Sequence, residues 1–234
     1  PENDPRRKEL SDAHMRHVEE DAVNCVRGIV AMRYALMEYN KAAELFTREH
    51  QNEARAQYKP HIRIGCGINT GRVTAGVMGG GEKMEYTAIG DAVNFASRTE
   101  STNKPCGTDI LITEDTYALL RKNYIRCDIN NFTLKDEYMK DEIVVEQIPV
   151  TINVKGKGDQ HFYGVVNMPQ FDVESFYQTA DSSFKADPDC LKACGAHGPK
   201  SLNEVRALLG IPAPDFEKVN LNEEENKTVI KQQQ

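Results

Sequence analysis

The chain has no tryptophan, no long apolar run and no excess of basic charge. A membrane-spanning helix needs about 20 mostly apolar residues. None is present, so no membrane contact is expected from this segment. Lys and Arg total 29 against 36 Asp and Glu, a formal charge of −7. That balance argues against a basic nucleic-acid binder. The opening PENDPRRKEL is polar and begins at Pro1 rather than Met. It reads as lacking a signal peptide and as the start of a piece of something longer. What is there is globular in character, with 39% hydrophobic and 28% charged residues. A length of 234 residues suits one ordinary domain plus an appendage, or two small domains. Either can bury a core without a disulfide or metal staple.

Cysteine is sparse and scattered. Cys25, Cys66, Cys106 and Cys127 stand singly in apolar or strand-like surroundings, as buried reduced thiols do. This suggests a reducing compartment and a cytoplasmic location. Cys190 and Cys194 stand close together with His197 beyond, but they lack a clear fourth zinc ligand.

Residues 1–10 read as a loop, after which Ser11 or Asp12 caps a long helix. Val18, Ala22, Val26, Ile29 and Val30 recur at helical spacing, and Met32, Leu36, Met37 and Tyr39 extend the stripe. Glu19, Glu20, Arg27 and Arg33 lie largely off it. The helical pattern continues to residue 58, and Pro60 ends it. From His61 the texture becomes strand-like. Ile62 to Cys66 reads as one strand and Val73 to Met78 as a second. A hairpin turn falls at Gly79 to Glu82, with a return strand from Met84 to Thr87. Asp91 opens a helix, Thr108 to Ile112 is a strand, and Glu114 to Arg121 is a helix. Residues 123–147 are ambiguous. Val150 to Val154 and Gln160 to Val166 flank Lys155-Gly156-Lys157-Gly158-Asp159 as a second hairpin. The class is α+β with a largely antiparallel sheet. After Asn167 five prolines break the chain into short pieces. Ser201 to Leu209 reads as a short helix and residues 220–234 as a frayed tail.

Two segments carry chemistry. GINTGRVTAGVMG, residues 67–79, reads as two strands around a glycine-permitted bend with Arg72 at the bend. Glycines allow close backbone approach and an Arg can hold a phosphate, although an ordinary turn with an exposed Arg fits equally. In EYTAIGDAVNFASRTES, residues 85–101, Asn94 and Arg98 share one helix face. An amide and a guanidinium projecting together suit a polyanion. A capped helix with a solvated polar face is the plainer alternative.

EYTAIGDAVNFASRTES resembles the signature of class III nucleotidyl cyclases, and GINTGRVTAGVMG resembles the strand pair that precedes it. TDILITEDTY and INVKGKGD resemble the family's following segments, and DAHMRHVEEDAVNCVRGIVAMRYALMEYN an earlier helix, all in order. The resemblance covers residues 10–166. It implies a ferredoxin-like cyclase domain over residues 1–166, N-terminally incomplete, with a C-terminal extension over 167–234. It also implies cyclisation of a nucleoside triphosphate at a dimer interface, in a homodimer or a cyclase-domain heterodimer.

By the same resemblance Asn94 orients the ribose and Arg98 stabilises charge at the α-phosphate. Lys155 holds the terminal phosphates, and Arg72 lies on the pyrophosphate side. Thr87 stands where the base is read, with Ala88 offering backbone groups to the purine. Thr at that position resembles a subgroup found in bacteria and in bicarbonate-responsive cyclases and favours ATP. Two Mg2+ or Mn2+ ions are implied per site. Their family ligands, two Asp upstream of the long helix, have no counterpart in this chain, nor has the base-reading Lys. Asp128, in CDINNFT, and Asp159 form a decoy pair with unsuitable flanks. The expectation is an adenylyl cyclase catalytic domain that is inactive as this chain alone. A non-catalytic regulatory half and a guanylyl cyclase are the alternatives.

Overall fold

The computed structural model describes residues 5–50, 60–81, 83–120, 124–127, 143–168 and 198–217. The first helix, α1 (Pro5–Glu49), begins earlier than its sequence suggests. Residues 5–10, read as a loop, are its first turns. Proline lacks the N–H that a first turn leaves unpaired anyway, so Pro5 can stand at the start. Ala22, Val26, Val30 and Tyr34 form the buried stripe of α1. Arg33, expected off that stripe, is buried beside it.

The strands are β1 (Cys66–Ile68), β2 (Thr74–Gly80), β3 (Lys83–Ile89), β4 (Ile110–Thr113), β5 (Tyr124–Cys127), β6 (Ile143–Gln147), β7 (Ile152–Val154), β8 (Gly158–Gln160) and β9 (Phe162–Asn167). The helices after α1 are α2 (Asp91–Cys106), α3 (Glu114–Leu119) and α4 (Leu202–Leu209). The central sheet has the order β1-β4-β9-β6-β5, and β2-β3 and β7-β8 are separate hairpins. Pairing is antiparallel in both hairpins and along β9, and parallel in β1-β4 and β5-β6. The α+β class and the antiparallel bias hold over the fold, with a mixed central sheet.

Both faces of that sheet are covered, so its inner strands read as continuous apolar runs. Alternate residues face opposite ways. Ile110, Ile112, Val145, Tyr163 and Val165 pack with α1. Leu111, Val144, Phe162 and Val166 pack with Phe95 of α2 and with Leu202 and Val205 of α4. The segment carrying α4 is therefore built into the second core. A Cβ on Gly164 would lie 2.7 Å from Leu202 Cδ1, so glycine in β9 makes room for α4.

Two strand expectations need correction. Ile62 and Ile64 precede β1 and are exposed, and only Cys66–Ile68 pairs with β4. The return strand at 160–166 is two strands. β8 closes the short hairpin, whereas β9 crosses the central sheet. The hydrophobic pattern does not mark that break because His161 is one residue long as a divider.

Candidate active site

Helix α2 is set by its glycines and its buried stripe. Gly90 precedes it at φ 150°, a conformation rare for other residues, with Asp91 in the first turn. The carboxylate there favours the positive end of the helix dipole. Phe95, Thr99, Asn103 and Cys106 face the core. A Cβ on Gly67 would lie 2.2 Å from the Glu100 backbone nitrogen, so only glycine lets β1 lie this close to α2. Asn103 Nδ2 donates to Cys66 O at 2.9 Å across the same contact. Asn94 and Arg98 occupy the neighbouring stripe and are exposed.

The β7-β8 hairpin meets that exposed stripe. Its loop runs Lys155-Gly156-Lys157 between the paired residues Val154 and Gly158. Arg98 Nη1 donates to the main-chain carbonyl of Lys155. Lys157 Nζ lies 2.5 Å from Asp91 Oδ2 and 5.4 Å from the centre of the Phe95 ring. The structure thus sets the Lys155 main chain against Arg98, on the exposed stripe of α2 that also bears Asn94.

The other three expected site residues lie on the neighbouring hairpin and its approach. A Cβ on Gly90 would lie 3.4 Å from Arg72 O, which puts the Arg72 main chain beside the start of α2. Asn69 braces this bend. Its Nδ2 donates to Ala92 O at 3.0 Å, and its Oδ1 accepts from Thr113 Oγ1 at 2.8 Å. Thr87 pairs with Gly76 and Ala88 with Ala75 across β2-β3. Successive strand residues face opposite ways, so Thr87 and Ala88 lie on different faces of the hairpin. Among the described residues, no hydrogen bond or ion pair joins Arg72, Thr87 or Ala88 to the group at α2.

The contacts of Asp91, Lys157 and Asn69 at this site are not expected from sequence, which marks Asp91 only as a helix start. Lys157 had a signal, since it stands two residues from Lys155 in the same glycine-flanked loop. Asn69 and Asp91 had none, because their partners are distant in sequence.

The cysteines are partly as expected. Cys106 is fully buried, and burial pushes its thiol up to about 12 against the opposing pull of Arg206. Cys66 is half-buried and shifted upward, chiefly by burial and then by Asp109. Cys25 is exposed, contrary to expectation, because it falls off the buried stripe of α1. The side chain of Cys127 lies outside the described residues.

No group of three or more His, Cys, Asp or Glu placed to hold a metal occurs among the described residues. They do not fit the two-metal set that the resemblance implies. Asp159 accepts from Asn153 Nδ2 at 2.9 Å within its own hairpin. Asp128, Cys190, Cys194 and His197 lie outside the described residues. Chemically, the exposed face of α2 offers the Asn94 amide and the Arg98 guanidinium, with the Lys155 loop against it, groups of the kind that suit a polyanion.

Residues 13–167 match the model of the adenylate and guanylate cyclase catalytic domain. The chain belongs to that family. Its α+β architecture is accordingly the ferredoxin-like cyclase fold. The adenylate cyclase of Anabaena cylindrica is 35% identical over 107 residues, which cover 46% of this chain and 20% of that protein. Guanylate cyclase beta of Plasmodium falciparum is 31% identical over 128 residues, covering 53% of this chain and 3% of that protein. The crystal structure of the adenylyl cyclase CyaB from P. aeruginosa is 29% identical, with a TM-score of 0.41 over 64% of this chain and 60% of that one. The chain spans a fifth or less of the length of these two curated relatives. Among the described residues, no helix of this cyclase domain is long and apolar enough to cross a membrane.

Proposed function

We propose that this cyclase domain supplies the ribose- and phosphate-binding part of an adenylyl cyclase site, which converts ATP to 3′,5′-cyclic AMP and pyrophosphate in the cytoplasm. The observation that carries this reading is the hydrogen bond from Arg98 to the Lys155 main chain, which sets the Lys155 loop against the exposed face of α2 that bears Asn94 and Arg98. In the reaction the ribose 3′ oxygen bonds to the α-phosphorus as the bond to the bridging oxygen of pyrophosphate breaks. The 3′ proton leaves to solvent. Asn94 holds the ribose so that its 3′ oxygen stays in line, which lowers the entropic part of the barrier. Arg98 opposes the charge that gathers on the α-phosphate, and Lys155 holds the terminal phosphates. Arg72 lies on the pyrophosphate side. Thr87 and the Ala88 backbone face the base. Mg2+ or Mn2+ is the proposed cofactor, held by carboxylates that the described residues do not provide.

The active unit is a dimer of cyclase domains. On β2-β3, Val77, Met84 and Tyr86 lie on one face, 60%, 63% and 77% exposed. A contiguous apolar face of this kind marks an interaction surface. Thr87, one residue on from Tyr86, points to the opposite face of the hairpin, so a partner seated on the apolar face would leave the Thr87 side open to the nucleotide.

Two measurements test the reading. This polypeptide with ATP and Mn2+ forms little cyclic AMP, and robust turnover would overturn the assignment of the metal carboxylates to other residues. In displacement of a fluorescent nucleotide, ATP should compete better than GTP. Preference for GTP would replace the adenylyl reading with a guanylyl one, which the match to Plasmodium guanylate cyclase beta keeps in view.

A further inference from the structure

A cavity of about 490 Å3 opens at the far end of α2 from Asn94. Leu36 and Met37 of α1, Ile62 and Ile64 before β1, and Ile211 and Pro212 after α4 supply its apolar walls. Small-molecule sites have volumes of roughly 300–1,000 Å3, with apolar walls and a few convergent polar groups. The cavity fits that description.

Its charges choose the ligand. Arg63 and Lys104 both line the cavity, and neither side chain has an ion-pair or hydrogen-bond partner among the described residues. Arg33 also reaches the lining but is neutralised by Asp109 at 2.6 Å. His61 lies 4.0 Å from Glu44. Glu100 is the one lining carboxylate besides Asp109. Ser101 Oγ donates to Glu100 Oε2 at 3.4 Å, so two cations without an ion-pair partner among the described residues stand against one such carboxylate, a balance that favours an anion. The lining contains no Phe, Tyr or Trp, and its apolar walls are aliphatic. Ile62 and Ile64 are 38% and 40% exposed, and an aliphatic occupant would cover both.

The wall after α4 lies beyond the family match at residues 13–167. It is fastened to the end of α2. Arg206 Nε donates to Gly107 O at 2.7 Å, and the Asp215 backbone nitrogen donates to Pro105 O at 2.8 Å. The cavity is therefore made jointly by the cyclase domain and the segment that follows it. Ser101, Asn103 and Lys104 line it from the helix that also bears Asn94 and Arg98.

We propose that this cavity is a binding site for an amphipathic carboxylate with an aliphatic body, its head held by Arg63 and Lys104. The site is separate from the nucleotide site, and its occupancy can be read without catalysis. Decanoate, kept below its micellar concentration, is the probe in calorimetric titration of the whole chain. The expected result is saturable binding at one site, with decanol and acetate at least about tenfold weaker because each lacks one half of the recognition. Arg63→Glu combined with Lys104→Glu weakens decanoate by at least about tenfold, through exchange of attraction for repulsion. Leu36→Trp fills the cavity and removes binding, whereas Tyr86→Ser on the apolar hairpin leaves it unchanged. Thermal melts confirm that each variant folds. Arg63→Glu alone, at an exposed position, decides the matter if Leu36→Trp does not fold. Absence of saturable binding, decanol as tight as decanoate, indifference to the charge reversals, or loss of binding in Tyr86→Ser would each overturn the site. Failure of cyclase activity would not bear on these outcomes.

Discussion

Lys157 Nζ lies 2.5 Å from Asp91 Oδ2, which ties the loop presenting Lys155 to the first turn of the helix presenting Asn94 and Arg98. The pair is partly open to water, with Asp91 the more exposed. Exposed pairs contribute roughly 0–1 kcal/mol to stability. The consequence of breaking this one is expected in position rather than in folding. Lys157→Met should leave the unfolding midpoint nearly unchanged and weaken binding of a fluorescent ATP analogue by roughly three- to tenfold, a loss of about 1 kcal/mol. Lys157→Arg should restore most of it. Wild-type affinity in Lys157→Met would show that the loop holds its place without the pair.

Arg98 and Asn94 make a different demand. Both act on the reacting centre in the proposed chemistry, so their loss should fall on turnover. In a protein carrying this domain together with the metal carboxylates, Arg98→Ala and Asn94→Ala should each lower kcat on the order of a hundredfold, about 3 kcal/mol, with a much smaller change in KM for ATP. Steady-state assays of cyclic AMP formation measure both quantities. Wild-type kcat in Arg98→Ala would remove Arg98 from the site.

Arg33 binds the long helix to the sheet. Its Nε and Nη2 donate to Asp109 at 2.6 and 2.7 Å, and its Nη1 and Nη2 donate to Val166 O and Val165 O at 2.6 and 2.7 Å. Removing one partner leaves a buried charge uncompensated, which costs about 3–5 kcal/mol. Arg33→Met should lower unfolding stability in urea by that amount. Arg33→Met with Asp109→Leu should recover more than half of the loss. A single variant within about 1 kcal/mol of wild type would contradict the burial of the pair.

Much of this was legible in the residues. The buried stripe of α1, the β2-β3 hairpin, α2 from Asp91 and α4 follow from spacing and glycine placement, because these are local patterns. Asn94 and Arg98 share a face for the same reason. What the sequence hid depends on distant partners. Arg33 reads only as a residue largely off the apolar stripe of α1, since nothing near it names Asp109. Asp91 looked like a helix start and no more, since Lys157 stands far along the chain. The split between β8 and β9 is set by which sheet each strand joins, and the apolar pattern runs through His161 without recording it.

Cys106 gives a pH dependence with a definite sign. Burial raises its thiol from the ordinary 9.0 to about 12 in the folded protein. Above pH 9 the unfolded chain releases this proton and the folded chain keeps it. The unfolded state then binds fewer protons, so stability falls as pH rises from about 9 toward 12. Below pH 9 the contribution is constant. Urea unfolding between pH 8 and pH 10.5 should show a steeper decline for wild type than for Cys106→Ala. Equal slopes would mean that the thiol ionises as readily folded as unfolded.

The proposed sharing of the site between two domains makes the sharpest genetic demand. Asn94 and Arg98 project from an exposed face of α2, and no group of three or more His, Cys, Asp or Glu placed to hold a metal occurs among the described residues. In the proposed dimer the exposed apolar face of β2-β3, led by Tyr86, is the surface for the second domain. In a protein that carries this domain together with the metal carboxylates, a variant lacking a metal Asp and a variant carrying Arg98→Ala should each be nearly inactive. Mixed, some of their heterodimers contain one intact site. A symmetric dimer has two equivalent sites, so those heterodimers should recover up to about half of the wild-type rate per dimer if the sites act independently. Cyclic AMP formation measured across mixing ratios reads this directly, with a maximum near equal amounts. Adding Tyr86→Asp to both variants should abolish the recovery by placing like charges in the apolar contact. No recovery at any ratio would locate the whole site within one subunit. Specific activity that stays constant far below the dissociation constant of the dimer, measured by sedimentation, would argue the same way.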